Sequence, residues 1–316
     1  MHKLFLIGLI VSFSICLRAA DDPVLQFITL GTAGGPESNA MRVQPANALV
    51  IGNNTWLVDA GDGAVTQLNR AGLRLAQVQG VLLSHLHFDH TGGMLAVLGL
   101  RAQMSINKPL IIYGPPGTAI FIDGLLAAMT PALQSGFGLP GQAWEAYPVV
   151  HEIRNDAVFE IDGVRVTTVE NSHYLPGADP ENQQGSVSLS YRFDTSERSI
   201  VYTGDTGPSD ALTALAENAD LLVIEMMDGP VVLGNIRRVN PGLNESILTG
   251  LERHFSLHHL TPEQVASLAA AASVKSVVVT HFMPGANSPE QAAHYRARMQ
   301  LHYKGEIIFA NDNDRY

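Results

Sequence analysis

Ser84-His85-Leu86-His87-Phe88-Asp89-His90-Thr91-Gly92-Gly93 follows directly on the apolar run Val81-Leu82-Leu83. Side chains two apart on an extended segment point the same way, so His85 and His87 converge on one point. Asp89 and His90, at the turn into the next helix, face a second point beside it. Gly92 and Gly93 then let the backbone pass close to both as the helix begins. Imidazole and carboxylate donors together suit zinc, with iron or manganese as alternatives. A group of surface or core histidines is the competing reading. Three His and one Asp within six residues, at the end of a buried strand, favour a metal site over it.

Around this stretch, short apolar or β-branched runs alternate with helical ones. Strands are expected at 24–30, 48–51 and 55–58, then 81–83 and 110–113, with helices at 65–71, 94–100 and 119–129. In the second half, 157–161 and 164–169 flank Asp162-Gly163, a hairpin turn signal. Further strands are expected at 187–193, 199–202, 221–224 and 274–279. Thr261-Pro262-Glu263-Gln264 reads as a capping box opening a helix through Ala272, and Ser288-Pro289-Glu290-Gln291 repeats the pattern before a helix to about Leu301. Both halves run strands first and then alternate strand and helix, which suits an α/β sandwich of two sheets with helices outside.

The 316 residues include 30 acidic and 19 basic side chains, a formal charge of -11. Counterion release on a nucleic acid needs a basic surface, so this balance disfavours a large polyanion as partner. The one cysteine, Cys16, lies in the apolar run Leu4 to Leu17, after Met1-His2-Lys3 and before Arg18-Ala19-Ala20-Asp21. That arrangement describes a signal peptide over 1–20, leaving 21–316 as one domain, periplasmic or secreted and without stable membrane association. Once the peptide is removed, thiolate ligands are excluded, and any transition-metal site has to be built from His and carboxylates.

The 84–93 stretch contains the HxHxDH pattern, and by it the chain resembles the metallo-β-lactamase superfamily. The resemblance implies a four-layer αβ/βα sandwich of two mixed sheets flanked by helices. It also asks for a lone downstream His, an Asp after a strand and a final His after another strand. His173, Asp205 and His281 stand in that order, each just past an expected strand. By resemblance, two zinc ions (or Mn2+ or Fe2+) are held, one by His85, His87 and His173 and the other by Asp89, His90 and His281, with Asp205 bridging. A hydroxide between them is the implied nucleophile.

Leu30-Gly31-Thr32-Ala33-Gly34-Gly35-Pro36, Arg42, Pro45-Ala46-Asn47, Leu57-Val58-Asp59-Ala60-Gly61-Asp62-Gly63 and Tyr113-Gly114-Pro115-Pro116-Gly117 are similar to the ribonuclease Z group and its secreted arylsulfatase-like relatives. In that group a histidine ahead of the last helix donates a proton, which points to His259. The implied catalytic residues are then His259 and the ligand Asp89. His259 competes with a reading as part of a basic loop with His254 and His258. Asp59 is a candidate acceptor orienting a ligand, with a salt bridge or a turn as the alternative.

No basic, Gly-rich arm for gripping RNA is recognisable between Tyr113 and His173. The resemblance therefore implies hydrolysis of small phosphodiesters or sulfate esters, with a lactonase or other carboxyl-ester hydrolase as the alternative and a non-catalytic metal-binding module as the remaining class. The leaving group is expected against the 125–147 region, where Met129, Phe137, Leu139, Trp144 and Tyr147 can wall a pocket, with core or a dimer surface as equal alternatives. The expected partner is a small ester molecule, and a homodimer is left open.

Overall fold

Each half of the chain lays down antiparallel strands first and parallel strands after them, and the two resulting sheets stack face to face. The computed structural model describes residues 24–36, 40–136, 148–174 and 185–316. The expected signal peptide and the pocket candidates Phe137, Leu139, Trp144 and Tyr147 lie outside these described residues.

The first sheet contains β1 (Leu25–Gly31), β2 (Ala46–Ile51), β3 (Asn54–Ala60), β4 (Val78–Leu82), β5 (Ile111–Gly114), β6 (Val149–Glu152) and the short C-terminal β14 (Asp314–Arg315), in the order β14-β1-β2-β3-β4-β5-β6. Pairing is antiparallel from β14 to β3 and parallel from β3 to β6. The second sheet mirrors this. It contains β7 (Val158–Ile161), β8 (Val164–Glu170), β9 (Leu189–Asp194), β10 (Ser199–Tyr202), β11 (Leu221–Met227), β12 (Ser276–Met283) and β13 (Glu306–Phe309), in the order β13-β12-β11-β10-β9-β8-β7. Here β7 to β10 are antiparallel and β10 to β13 parallel.

Three apolar layers hold the sandwich. Between the sheets, Phe27, Leu49, Trp56 and Leu82 face Tyr191, Phe193, Tyr202 and Val278. Outside the first sheet pack α1 (Ala64–Arg70), α3 (Met94–Gln103) and α4 (Thr118–Ser135), through Leu68, Val97, Leu98, Ile122 and Met129. Outside the second pack α5 (Asp210–Leu215), α8 (Pro262–Ala271) and α9 (Pro289–Met299), through Leu212, Val265, Ala269, Tyr295 and Met299. The central parallel strands β11 and β12 are covered on both faces, which is why they read as continuous apolar runs. In β12, Val277 and Val279 face the helices while Val278 faces the other sheet.

The turn chemistry follows the sequence closely. Asp162 and Gly163 both have positive φ, 47° and 83°, the geometry of a two-residue hairpin turn between β7 and β8. Thr261 and Gln264 form the full reciprocal capping box. Ser288 caps α9, but the Gln291 side chain reaches back to the Asn287 N–H, so the second half of that box is displaced by one residue. Two helices, α6 (Gly229–Val239) and α7 (Glu245–His258), have no counterpart in the sequence reading. They pack on each other through Val232, Leu233, Leu248 and Phe255. Strand β12 also runs on past Thr280 to Met283. His281 takes φ 42° and the register against β11 shifts between Ile224 and Met226, so a bulge replaces the strand end.

Of the readings left open for Met129, pocket wall, core or dimer surface, the structure shows core. It is buried against the first sheet together with Val97 and Ile122.

Candidate metal centre

The C-terminal ends of β4, β8, β10 and β12 meet at one edge of the sandwich, and the histidines and aspartates project from there. His85 and His87 leave the end of β4, and Asp89 and His90 lie on the single-turn helix α2 (Phe88–Thr91). His173 follows β8, Asp205 follows β10, and His281 stands on the bulge of β12.

These residues form two adjoining groups, His85, His87, His173 and Asp205 in one and Asp89, His90 and His281 in the other. Within the first, His87 Nδ1 is 3.1 Å from His85 Nε2 and 3.3 Å from His173 Nε2. Within the second, Asp89 Oδ2 lies 3.4 Å from His281 Nε2 and 3.7 Å from His90 Nε2. Asp205 joins them: its Oδ2 is 3.9 Å from His85 Nε2, and its Oδ1 is 3.3 Å from His90 Nε2 and 3.5 Å from His281 Nδ1. One carboxylate thus offers an oxygen to each group.

The donor set fits divalent cations on a physical criterion. His90 Nε2, Asp205 Oδ1 and His281 Nδ1 are buried with no hydrogen-bond partner, although they lie within 3.5 Å of one another through Asp205. Leaving three converging polar atoms unpaired costs about 1–3 kcal/mol each unless something satisfies them. A cation seated among them does so.

The supporting contacts orient these donors. Asp59, on β3, is fully buried and takes hydrogen bonds from the Ser84 N–H at 2.7 Å, the Ser84 hydroxyl at 2.7 Å and the Tyr202 hydroxyl at 2.6 Å. Its Oδ2 is also 2.8 Å from His90 Nδ1. That contact places the His90 proton on Nδ1 and frees Nε2 for the centre. The sequence left Asp59 open between a ligand-orienting role and a structural one, and its contact with the candidate ligand His90 fits the former. His173 Nδ1 is tied in the same way, 3.0 Å from the His258 carbonyl.

Electrostatics follow from burial and proximity. Burial holds His85 and His173 well below the usual imidazole range, which suits neutral ligands. For His90 burial acts in the same direction, but the Asp205 and Asp59 carboxylates outweigh it and raise the group well above that range. Burial favours a protonated Asp205, yet His281 and His90 overcome it and keep the carboxyl far below its ordinary value.

His259 lies at the same edge, one residue beyond α7. Its Nδ1 is 3.1 Å from Glu225 Oε1, and its ring stacks parallel to His281 at 6.5 Å between centroids. Burial lowers His259 to about 4, whereas burial and the Asp205 charge push Glu225 well above the carboxylate range. Glu225 went unnoticed in the sequence. Its signal is a carboxylate inside Leu221-Leu222-Val223-Ile224-Glu225-Met226-Met227, a strand buried along its whole length. Tyr174 was missed too; its ring lies 4.8 Å from His173 and 5.2 Å from His87.

A cleft of about 1040 Å³ opens over the centre, lined by His87, Asp89, His173, Asp205, His259 and His281. Among the described residues its apolar wall comes from α6, α7 and the end of β12, and residues 125–136 of the region expected to hold a leaving group are not part of it.

Residues 54–282 match the model of the β-lactamase superfamily domain. The chain belongs to this superfamily. Among curated relatives, ribonuclease Z of Mycobacterium sp. strain KMS is 29% identical over 292 residues, covering 91% of this chain and 94% of that one. Ribonuclease Z of Mycobacterium tuberculosis strain H37Rv is 27% identical over 293 residues, 92% of this chain and 97% of its own. The short form of human tRNase Z has the same fold, with a TM-score of 0.64, 22% identity, and 92% and 98% of the two chains covered. The metallo-β-lactamase fold protein YhfI from Bacillus subtilis superposes with a TM-score of 0.65 at 17% identity, covering 93% and 99%. The protein is therefore a ribonuclease Z-like metallo-β-lactamase superfamily hydrolase with a His/Asp cluster for divalent metal.

Proposed function

We propose that this superfamily hydrolase is a dinuclear, zinc-dependent phosphodiesterase acting on small diesters. The observation that supports it best is Asp205, whose two oxygens face the two ligand groups separately. In this reading His85, His87 and His173 hold one ion, Asp89, His90 and His281 hold the other, and Asp205 is shared. Two such ions supply an activated water at neutral pH and neutralise charge that develops on a phosphoryl group.

The chain's own residues do the rest. Asp59, Ser84 and the His258 carbonyl hold the histidine rings in their working tautomers. His259 borders the cleft, and its contact with Glu225 through Nδ1 turns Nε2 to the substrate side. From there it delivers its Nε2 proton to the departing alkoxide, while the Glu225 carboxyl fixes the ring and passes its own proton to Nδ1, so that the imidazole ends neutral and Glu225 ends as the carboxylate. A proton donor at the leaving oxygen is worth about 100-fold to 10,000-fold for a poor leaving group.

The relatives' name, ribonuclease Z, favours phosphodiesters over sulfate esters and brings RNA forward as a second reading. The acidic charge of -11 speaks for small diesters instead. A screen of zinc-loaded protein against an aryl phosphodiester, an aryl sulfate, a cyclic nucleotide, a lactone and a precursor transfer RNA separates these readings. Turnover of the aryl phosphodiester, lost on chelation and regained with zinc, is the expected result. Cleavage of RNA alone, or of the lactone alone, would replace it. The apolar N-terminal run adds a proposal of export, checked by amino-terminal sequencing near Asp21.

A further inference from the structure

The wall of the cleft is built from two helices that the sequence pattern did not reveal. Val232 and Ile236 are four apart on α6, and Leu251 and Phe255 four apart on α7, so each pair shares one helical face. All four line the cleft, joined by Met227 and Met283 from the ends of β11 and β12. Across the centre, Phe88 stands between the candidate ligands His87 and Asp89. It is 83% exposed and contributes to the same lining. A large aromatic ring held in solvent at the lip of an apolar wall costs solvation unless a ligand covers it.

Charge points the same way. Arg42 is the one Lys or Arg among the described lining residues, and it is committed elsewhere. Its guanidinium donates to the Thr32 hydroxyl, the Ala310 carbonyl and the Asn311 side chain. A second or third phosphate beyond the scissile one therefore meets no available cation on this wall. The wall starts at the metal centre itself, since Met227 and Met283 close strands that also carry Glu225 and His281.

We infer that the α6–α7 wall receives an extended aliphatic group, so that the substrate is a phosphodiester with a single anionic centre and a long alkyl chain on one of its alcohols. This rests on the phosphodiesterase reading for the head of the substrate, whereas the chain preference is a property of the wall alone. Each methylene moved from water onto such a wall tightens binding by up to about fourfold when fully covered.

Calorimetric titration of the zinc-loaded protein with dimethyl, methyl butyl, methyl hexyl and methyl octyl phosphate reads the wall through binding. The alkoxides of these esters leave poorly, so turnover does not obscure the titration. Kd should fall by about two- to fourfold per added methylene. In the variants Ile236→Ser and Leu251→Ser, at half-buried positions, the dimethyl-to-octyl ratio of Kd should shrink at least tenfold, with melting curves showing that both are folded. A flat series in the wild-type protein overturns the inference, as does a steep series that neither folded variant alters. Hydrolysis of methyl p-nitrophenyl phosphate is followed in parallel. If that ester is inert while the alkyl series is steep, the phosphodiesterase reading fails and the alkyl site stands.

Discussion

Asp59 Oδ2 lies 2.8 Å from His90 Nδ1, both side chains fully buried, and the same carboxylate gathers the Ser84 and Tyr202 hydroxyls. One residue of β3 thereby sets the tautomer of a histidine that follows β4. Asp59→Asn preserves shape and tolerates the positive φ of 59°, but it loses a charged acceptor. Zinc affinity is expected to fall about 10–100-fold, measured by competition with a chromophoric chelator. Unchanged affinity would reduce Asp59 to a structural role.

Gly35 offers a cleaner way to disturb one half of the centre. A Cβ at this position would stand 1.7 Å from Asp89 Oδ2 and 2.4 Å from its Cγ. Gly35→Ala should push the Asp89 side chain aside and weaken the ion shared with His90 and His281. Elemental analysis is expected to show a loss of one ion per chain relative to the wild-type protein, with the melting temperature little changed.

His259→Ala separates proton donation from metal binding. The variant should retain its metal, because His259 lies outside both ligand groups. It should lose about 100-fold to 10,000-fold on alkyl phosphodiesters and far less on p-nitrophenyl esters, whose leaving group departs without a proton. His281→Ala should instead lose metal and both activities. Equal losses on both ester types in His259→Ala would move the role to another group.

Far from the centre, Asp220 links strands of the second sheet. It accepts from the Ser199 N–H at 2.7 Å and from the Ser199 hydroxyl at 3.0 Å, and it pairs with Lys275. Burial would raise its carboxyl, but the contacts with Lys275 and Ser199 more than offset this and leave it below the ordinary value. A depressed folded-state pKa stabilises above the unfolded value near 3.9 and is lost as pH falls through the folded one. Asp220→Ala should therefore cost about 1–3 kcal/mol at pH 7 in urea unfolding, and much less once the pH has fallen through the depressed folded-state value.

His85, His87, Asp89 and His90 were legible in the sequence because their geometry is local: two alternate positions on a strand end and two on the turn after it. The strands were legible for a similar reason, since burial on one or both faces leaves an apolar signature in consecutive residues. His173, Asp205 and His281 were found through resemblance and order, and only the pairing of strands within the second sheet brings them within 3.3 to 3.9 Å of one another or of the first group.

Other parts of the site have no local signature at all. Glu225 meets His259 because β11 ends where α7 terminates, and nothing in the spacing of 34 residues encodes that contact. Helices α6 and α7 escaped notice because Gly234 interrupts the first, and Ser246, Thr249, Gly250 and Ser256 dilute the helical pattern of the second. The apolar wall they form was sought near Met129, whose periodicity is equally apolar. Periodicity states that a face is covered, but whether the covering is a sheet or a substrate depends on where the helix docks. The sequence by itself determined the sandwich and the metal-binding residue types, because both rest on local pattern. Only the tertiary structure decided which orphaned donors converge and which apolar face is left open to the cleft, since both depend on contacts between segments far apart in the chain.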